Sequence, residues 1–239
     1  PTRIRIRTNT GFSEYDRHQL LVHEAFVHTL TGINGREQPL LKSMARSAPR
    51  TTATQEGLAT FAELISGSMD IERMKRISLR IVAIDMAING ADFVQVFRFF
   101  IDDGQTPEDS FASTQRVFRG APLGGGAAFT KDTVYLHGLL SVHTFFRWCL
   151  RHRKLAVARQ LFAGKLALED VFALQPMFDT GVMTAGNCNG DGCKLYQTPS
   201  AFAPLVEGDK FFNYGVETVS SGLGVATPYR SAISAARPW

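Results

Sequence analysis

His23-Glu24-Ala25-Phe26-Val27-His28 lies inside an apolar, helix-compatible run and decides how the chain is read. Two histidines bracket a glutamate. These are the groups of a zinc hydrolase: neutral imidazoles to hold the metal, and a carboxylate to take a proton from the water it activates. The spacing is one residue longer than in the usual H-E-x-x-H. On a regular helix, residues i and i+4 lie about 40° apart, but i and i+5 about 140° apart. His23 and His28 can share one ion only if the helix carries an extra residue, as a π-bulge supplies. Taken alone, the hexapeptide also fits two boundary histidines on an amphipathic helix, so its neighbours carry the decision.

Glu56 is the first of these. It stands in Thr54-Gln55-Glu56-Gly57-Leu58-Ala59, at the start of a helical pattern that runs to about residue 66, with Thr54 as N-cap and Gly67 as the terminating residue. A carboxylate there would complete a His-His-Glu site with one open position, as in catalytic rather than structural zinc. The competing reading is that Glu56 complements the helix dipole. Asn34-Gly35 and Gln38 read as a turn that returns the chain across the metal. Thr2-Arg3-Ile4-Arg5-Ile6-Arg7 alternates strictly and reads as a short edge strand, where an extended peptide could pair.

His23-Glu24-x-x-x-His28, Asn34-Gly35-x-x-Gln38 and Gln55-Glu56-Gly57-Leu58-Ala59 together resemble the bacterial flavohaemoglobin expression-modulating QEGLA-motif proteins. Those are similar to the microtubule-associated tyrosine carboxypeptidases. The likeness continues through Arg116-Val117-Phe118-Arg119-Gly120 and Phe129-Thr130-Lys131-Asp132-x-Val134-Tyr135-Leu136, and covers at least residues 2 to 140. It implies a zincin-like HExxxH metallopeptidase that removes a C-terminal Tyr or Phe. By position it assigns one Zn²⁺ to His23, His28 and Glu56, and the catalytic carboxylate to Glu24. Family members carry a substantial region before the zinc helix, so this chain is expected to be a C-terminal portion of a longer protein.

Bulk properties narrow the class. A net charge of +4 without a clustered basic helix argues against nucleic acid as a partner. No apolar run approaches the roughly 20 residues that span a membrane. Cys149, Cys188 and Cys193 fit a reducing, cytoplasmic setting better than a disulfide scaffold. The expected partner is a peptide or protein C-terminus.

Helical periodicity dominates the chain. Helices are expected at about 14–30, 55–66, 70–88, 91–102, 106–119, 131–151, 154–163 and 168–178. Residues 34–53 read as loop. In the 70–88 helix, Ile71, Met74, Ile77, Ile81 and Ile84 form the buried stripe, with Arg73, Lys75, Arg76 and Arg80 off it. Gly124-Gly125-Gly126 lacks the Lys-Ser/Thr of a P-loop and reads as a loop that lets backbone approach another element. His137 and His143 face different sides of their helix and read as packing or surface residues. Cys188 and Cys193 have no companion pair for a metal site, and Asn187 to Gly192 reads as a tight turn. Lys210 to Val216 reads as a strand. The fold expected is therefore mainly α with a small β component, a zinc-binding core at 1–105 and a helical lobe with a loop-rich tail at 106–239 completing the same unit.

The chemistry assigns further candidates. The oxyanion of peptide hydrolysis needs a second donor besides the metal, and Tyr135 is the candidate, ahead of His137. A carboxypeptidase must also neutralise a terminal carboxylate, for which Arg116, Arg119 and Lys131 beside the glycine loop are the candidates. Two other functions stay open: a zinc amino- or dipeptidyl peptidase, which needs an acidic group for the substrate amine, and a non-enzymatic, metal-binding regulator of expression.

Overall fold

A computed structural model describes Ile4 and residues 14–185. The order is α1 (Glu14–Leu20), a π-helical segment (Leu21–Thr29), α2 (Leu30–Glu37), a 3₁₀ turn (Lys42–Ala45), α3 (Pro49–Ile65), α4 (Ile71–Ile88), α5 (Phe93–Asp102) and α6 (Pro107–Val117). A second 3₁₀ turn (Thr130–Asp132) opens α7 (Thr133–Arg151), followed by α8 (Leu155–Gln160), α9 (Leu168–Ala173) and α10 (Gln175–Asp179).

The described residues contain helices and no strand. This corrects the expectation of a mainly α fold with a small β component. The two segments read as strands, 2–7 and 210–216, lie outside the described residues, as do Cys188, Cys193 and the turn at 187–192.

Local chemistry explains the helix ends. Asp70, Asp92 and Thr106 each accept from the amide three residues on, at Arg73, Gln95 and Asp109, so α4, α5 and α6 start where a side chain satisfies an orphan donor. Gly67 and Gly90 take positive φ after α3 and α4. The start of α3 differs from expectation. Pro49 occupies its first turn, Ala48 is extended, and Thr51 Oγ1 accepts from the Ala48 amide at 3.2 Å. Proline at that position starts a helix, so 49–54 is helical and Glu56 sits two turns inside α3 instead of at its tip. Asn34-Gly35 is likewise helical, within α2. Gly35 is there for packing: a Cβ would come within 2.5 Å of the Met44 and Ala45 backbone.

The main core lies between α3 and α7. Leu58, Ala59, Phe61 and Ala62 meet Leu139, Val142, Phe145, Phe146 and Cys149, and Val22 and Val27 of the π segment close the layer. Phe61 and Phe146 stack with ring centres 5.1 Å apart. The two helices approach closely because Gly57 faces Gly138, and a Cβ on either would collide with the other's backbone. A second cluster joins the end of α4 to α5 and α6 through Ala83, Ile84, Val96, Phe100, Val117 and Phe118. Ile71, expected in the buried stripe of α4, is exposed, while Ile77 and Ile84 are buried as expected. The glycine loop packs on this unit: the Gly126 amide donates to the Ala87 carbonyl at 2.8 Å.

Candidate metal centre

The helix that carries both histidines changes pitch over Leu21–Thr29, where it is π-helical. The Leu30 amide donates to the Ala25 carbonyl, five residues back. One π turn therefore separates His23 from His28, which brings i and i+5 onto one face. The Thr31 hydroxyl lies 2.7 Å from the Val27 carbonyl and 2.9 Å from Gln55 Oε1, tying the segment to α3.

Across the gap, Glu56 Oε2 sits 3.5 Å from His23 Nε2 and 3.7 Å from His28 Nε2. The three ligand atoms lie within 4.8 Å of one another. A tetrahedral ion with bonds of about 2.1 Å holds its ligand atoms roughly 3.4 Å apart, so both contacts with Glu56 are close to what one zinc requires. Two imidazole nitrogens and one carboxylate oxygen are also the donor set of a catalytic zinc site. The residues fit the group.

Glu63 is the part of the site that the sequence reading missed. It lies seven residues after Glu56, two turns along the same face of α3, and is fully buried. Its Oε1 is 2.6 Å from His23 Nδ1. A buried carboxylate there fixes the ring orientation and leaves Nε2 to face Glu56. Arg73 Nε and Nη2 each donate to Glu63 at 3.2 Å, and Gln19 Nε2 donates at 3.1 Å. Burial would push the His23 pKa down, but Glu56 and Glu63 outweigh it and raise it to about 9. Burial likewise works against ionised Glu56, and the two histidines win, holding its carboxyl well below the usual range.

Glu24 follows His23 in the π segment, partly exposed, and its charge acts on both His23 and Lys165. Tyr135 stands one turn before Gly138 on α7, beside Arg73 and Arg116. Burial, and next the charge of Glu56, push its phenol up to about 12, so it remains a proton donor at neutral pH. Of the three cations expected near the glycine loop, Lys131 reaches the site, with Nζ 3.3 Å from Glu56 Oε1. Arg116 is held by Asp132 through Nε and through Nη2 at 2.9 Å. Arg119 is exposed, its guanidinium 5.6 Å from the centre of the Phe129 ring. Arg80, read as lying off the buried face, instead turns in to Asp132 at 3.3 Å. His137 is exposed, and His143 packs edge-on against Phe61 with ring centres 6.0 Å apart; neither joins the cluster.

Asn34 and Gln38 do not cross the metal. Asn34 donates to the Phe162 carbonyl at 2.9 Å, and Gln38 Nε2 to the Ala163 and Thr184 carbonyls at 2.8 and 2.9 Å. They pin the 161–184 stretch to α2, and that stretch carries Lys165. Its Nζ is 3.4 Å from Gln55 Oε1.

No helix of the described residues is long and apolar enough to cross a membrane. A family model described as microtubule-associated tyrosine carboxypeptidase matches residues 1–194 of the chain. No curated protein matches it.

Proposed function

The chain belongs to the microtubule-associated tyrosine carboxypeptidase family, and on that premise we propose that it is a zinc carboxypeptidase removing Tyr or Phe from peptide or protein C-termini. The observation that carries the reading is the convergence of His23, His28 and Glu56 on one point from a π-helical turn and a facing helix. His23, His28 and Glu56 hold the metal, with Glu63 fixing the His23 ring. When bound, zinc supplies a Lewis acid that makes water a nucleophile near neutral pH and polarises the scissile carbonyl.

Glu24 accepts the water's proton and returns it to the leaving amine. It is partly exposed, and its charge acts on His23. The Tyr135 phenol, protonated at neutral pH, donates to the developing oxyanion. Arg116 and Lys131 stand at this rim of the site, paired with Asp132 and Glu56.

Glu24→Gln tests the reading. It preserves shape and removes the base, so zinc content should stay at about one equivalent while hydrolysis drops by a factor of 10² or more. Mass spectrometry of peptides ending in free Tyr should show loss of one residue with the unaltered protein and none with the variant. Full activity in Glu24→Gln would reject the mechanism.

A further inference from the structure

We propose that Lys165 receives the terminal carboxylate of the substrate. The inference rests on the carboxypeptidase reading above and names the group that makes it an exopeptidase.

Availability decides among the cations. Arg73 is committed to Glu63, Arg80 and Arg116 share Asp132, and Lys131 pairs with Glu56. Arg119 lies over Phe129. Lys165 has no carboxylate within ion-pair distance among the described residues, and its ammonium makes one long contact, 3.4 Å to Gln55 Oε1. An ammonium held partly out of water with no carboxylate in direct contact is costly, and perturbed groups of this kind cluster at functional sites.

Position agrees. The ammonium meets the Gln55 side chain, whose Oε1 also meets the Thr31 hydroxyl three residues after His28. Its surroundings include the charges of Glu56 and Glu24, which act on it against the burial that depresses its pKa. A terminal carboxylate lies one residue beyond the scissile bond, a step of about 3.8 Å. A cation beside the metal ligands, and not one at the far rim, is what that step requires. The Lys165 stem runs past α2 where Gly32 has no side chain, its Cε 3.8 Å from where a Cβ would stand. The backbone there is fixed too: the Lys165 amide donates to the Met44 carbonyl at 2.7 Å, and Gln38 holds Ala163. A lysine suits the task because it carries a compact point charge with three donors on a flexible stem.

The test measures binding in the Glu24→Gln background, so that nothing is hydrolysed, with one octapeptide ending in free Tyr and the same peptide amidated. Zinc-loaded Glu24→Gln should prefer the free peptide. Adding Lys165→Met should weaken the free peptide about thirtyfold or more, the loss that accompanies removal of one partner of a desolvated charge pair, and leave the amidated one unchanged. Lys165→Arg should restore part of the preference. If Lys165→Met does not fold, Lys165→Gln should read the same loss. A preference for the free peptide that survives both substitutions overturns the role of Lys165 and leaves the carboxypeptidase reading standing. Equal binding of the two peptides by the Glu24→Gln protein overturns both.

Discussion

Replacing Glu63 with Gln probes how the centre is held. Glu63 is fully buried and takes four contacts: His23 Nδ1 at 2.6 Å, two from Arg73 at 3.2 Å and one from Gln19 at 3.1 Å. All four partners are donors when His23 carries its Nδ1 proton. Glutamine has the same shape but offers one acceptor oxygen, so its amide nitrogen must face a donor, and Arg73 loses its counter-charge. Removing one partner of a buried ion pair costs about 3–5 kcal/mol. The Arg73 side chain is 18 % exposed and regains some hydration, so the low end, about 3 kcal/mol, is expected. Urea unfolding of the metal-free protein should show it as a midpoint lower by roughly 1 M, given a slope near 3 kcal/mol/M for a chain of this size. The His23 ring also loses the group that orients it, so zinc affinity measured by chelator competition should fall 10- to 100-fold. Unchanged zinc affinity with a lowered midpoint would show that Glu63 stabilises the fold without positioning the ligand. Unchanged values for both would refute the reasoning.

Two further outcomes follow from the same geometry. His23 has a folded-state pKa near 9 against an ordinary value of 6.5, so its protonated pairing with the carboxylates stabilises the metal-free protein fully below about pH 6.5, and this is lost as pH rises through 9. Unfolding free energy of the apo protein should therefore drop by about 3 kcal/mol over that window from this group, while apparent zinc affinity climbs about tenfold per pH unit as the metal displaces the proton; a pH-independent affinity between 7 and 9 would contradict the assignment. Gly57→Ala should destabilise by about 3 kcal/mol, since the new Cβ meets the Gly138 backbone and not a side chain that can move, and a melting temperature unchanged from the parent would show that α3 and α7 are not so closely apposed.

The triad was legible because its signals are local. The i, i+5 spacing of His23 and His28 forces a choice between no shared metal and a π turn, and the π turn is present. Glu56 joins the two histidines as the sequence suggests, but its place in α3 was not read, because Ser47, Pro49, Thr51 and Thr52 were counted as loop-formers when Pro49 was starting a helix. Asn34-Gly35 has the composition of a turn, yet Gly35 is small to admit the Met44–Ala45 backbone, a requirement set by tertiary packing alone. Glu63 left a trace that went unused, its seven-residue distance from Glu56. Arg73 and Arg80 lie off the apolar stripe of α4, and only the carboxylates of Glu63 and Asp132 on other elements turn them inward. Lys165 left no trace at all: it reaches Gln55 from 110 residues away, carried by a stretch pinned to α2.

The most direct test of the metal centre is the zinc content of the purified protein, measured by mass spectrometry of dissolved metal beside the His23→Ala/Glu56→Ala double variant. About one equivalent in the unaltered protein and none in the variant is expected of a three-ligand site with one open position. Zinc retained in full by a folded double variant would show that His23, His28 and Glu56 are not what holds it.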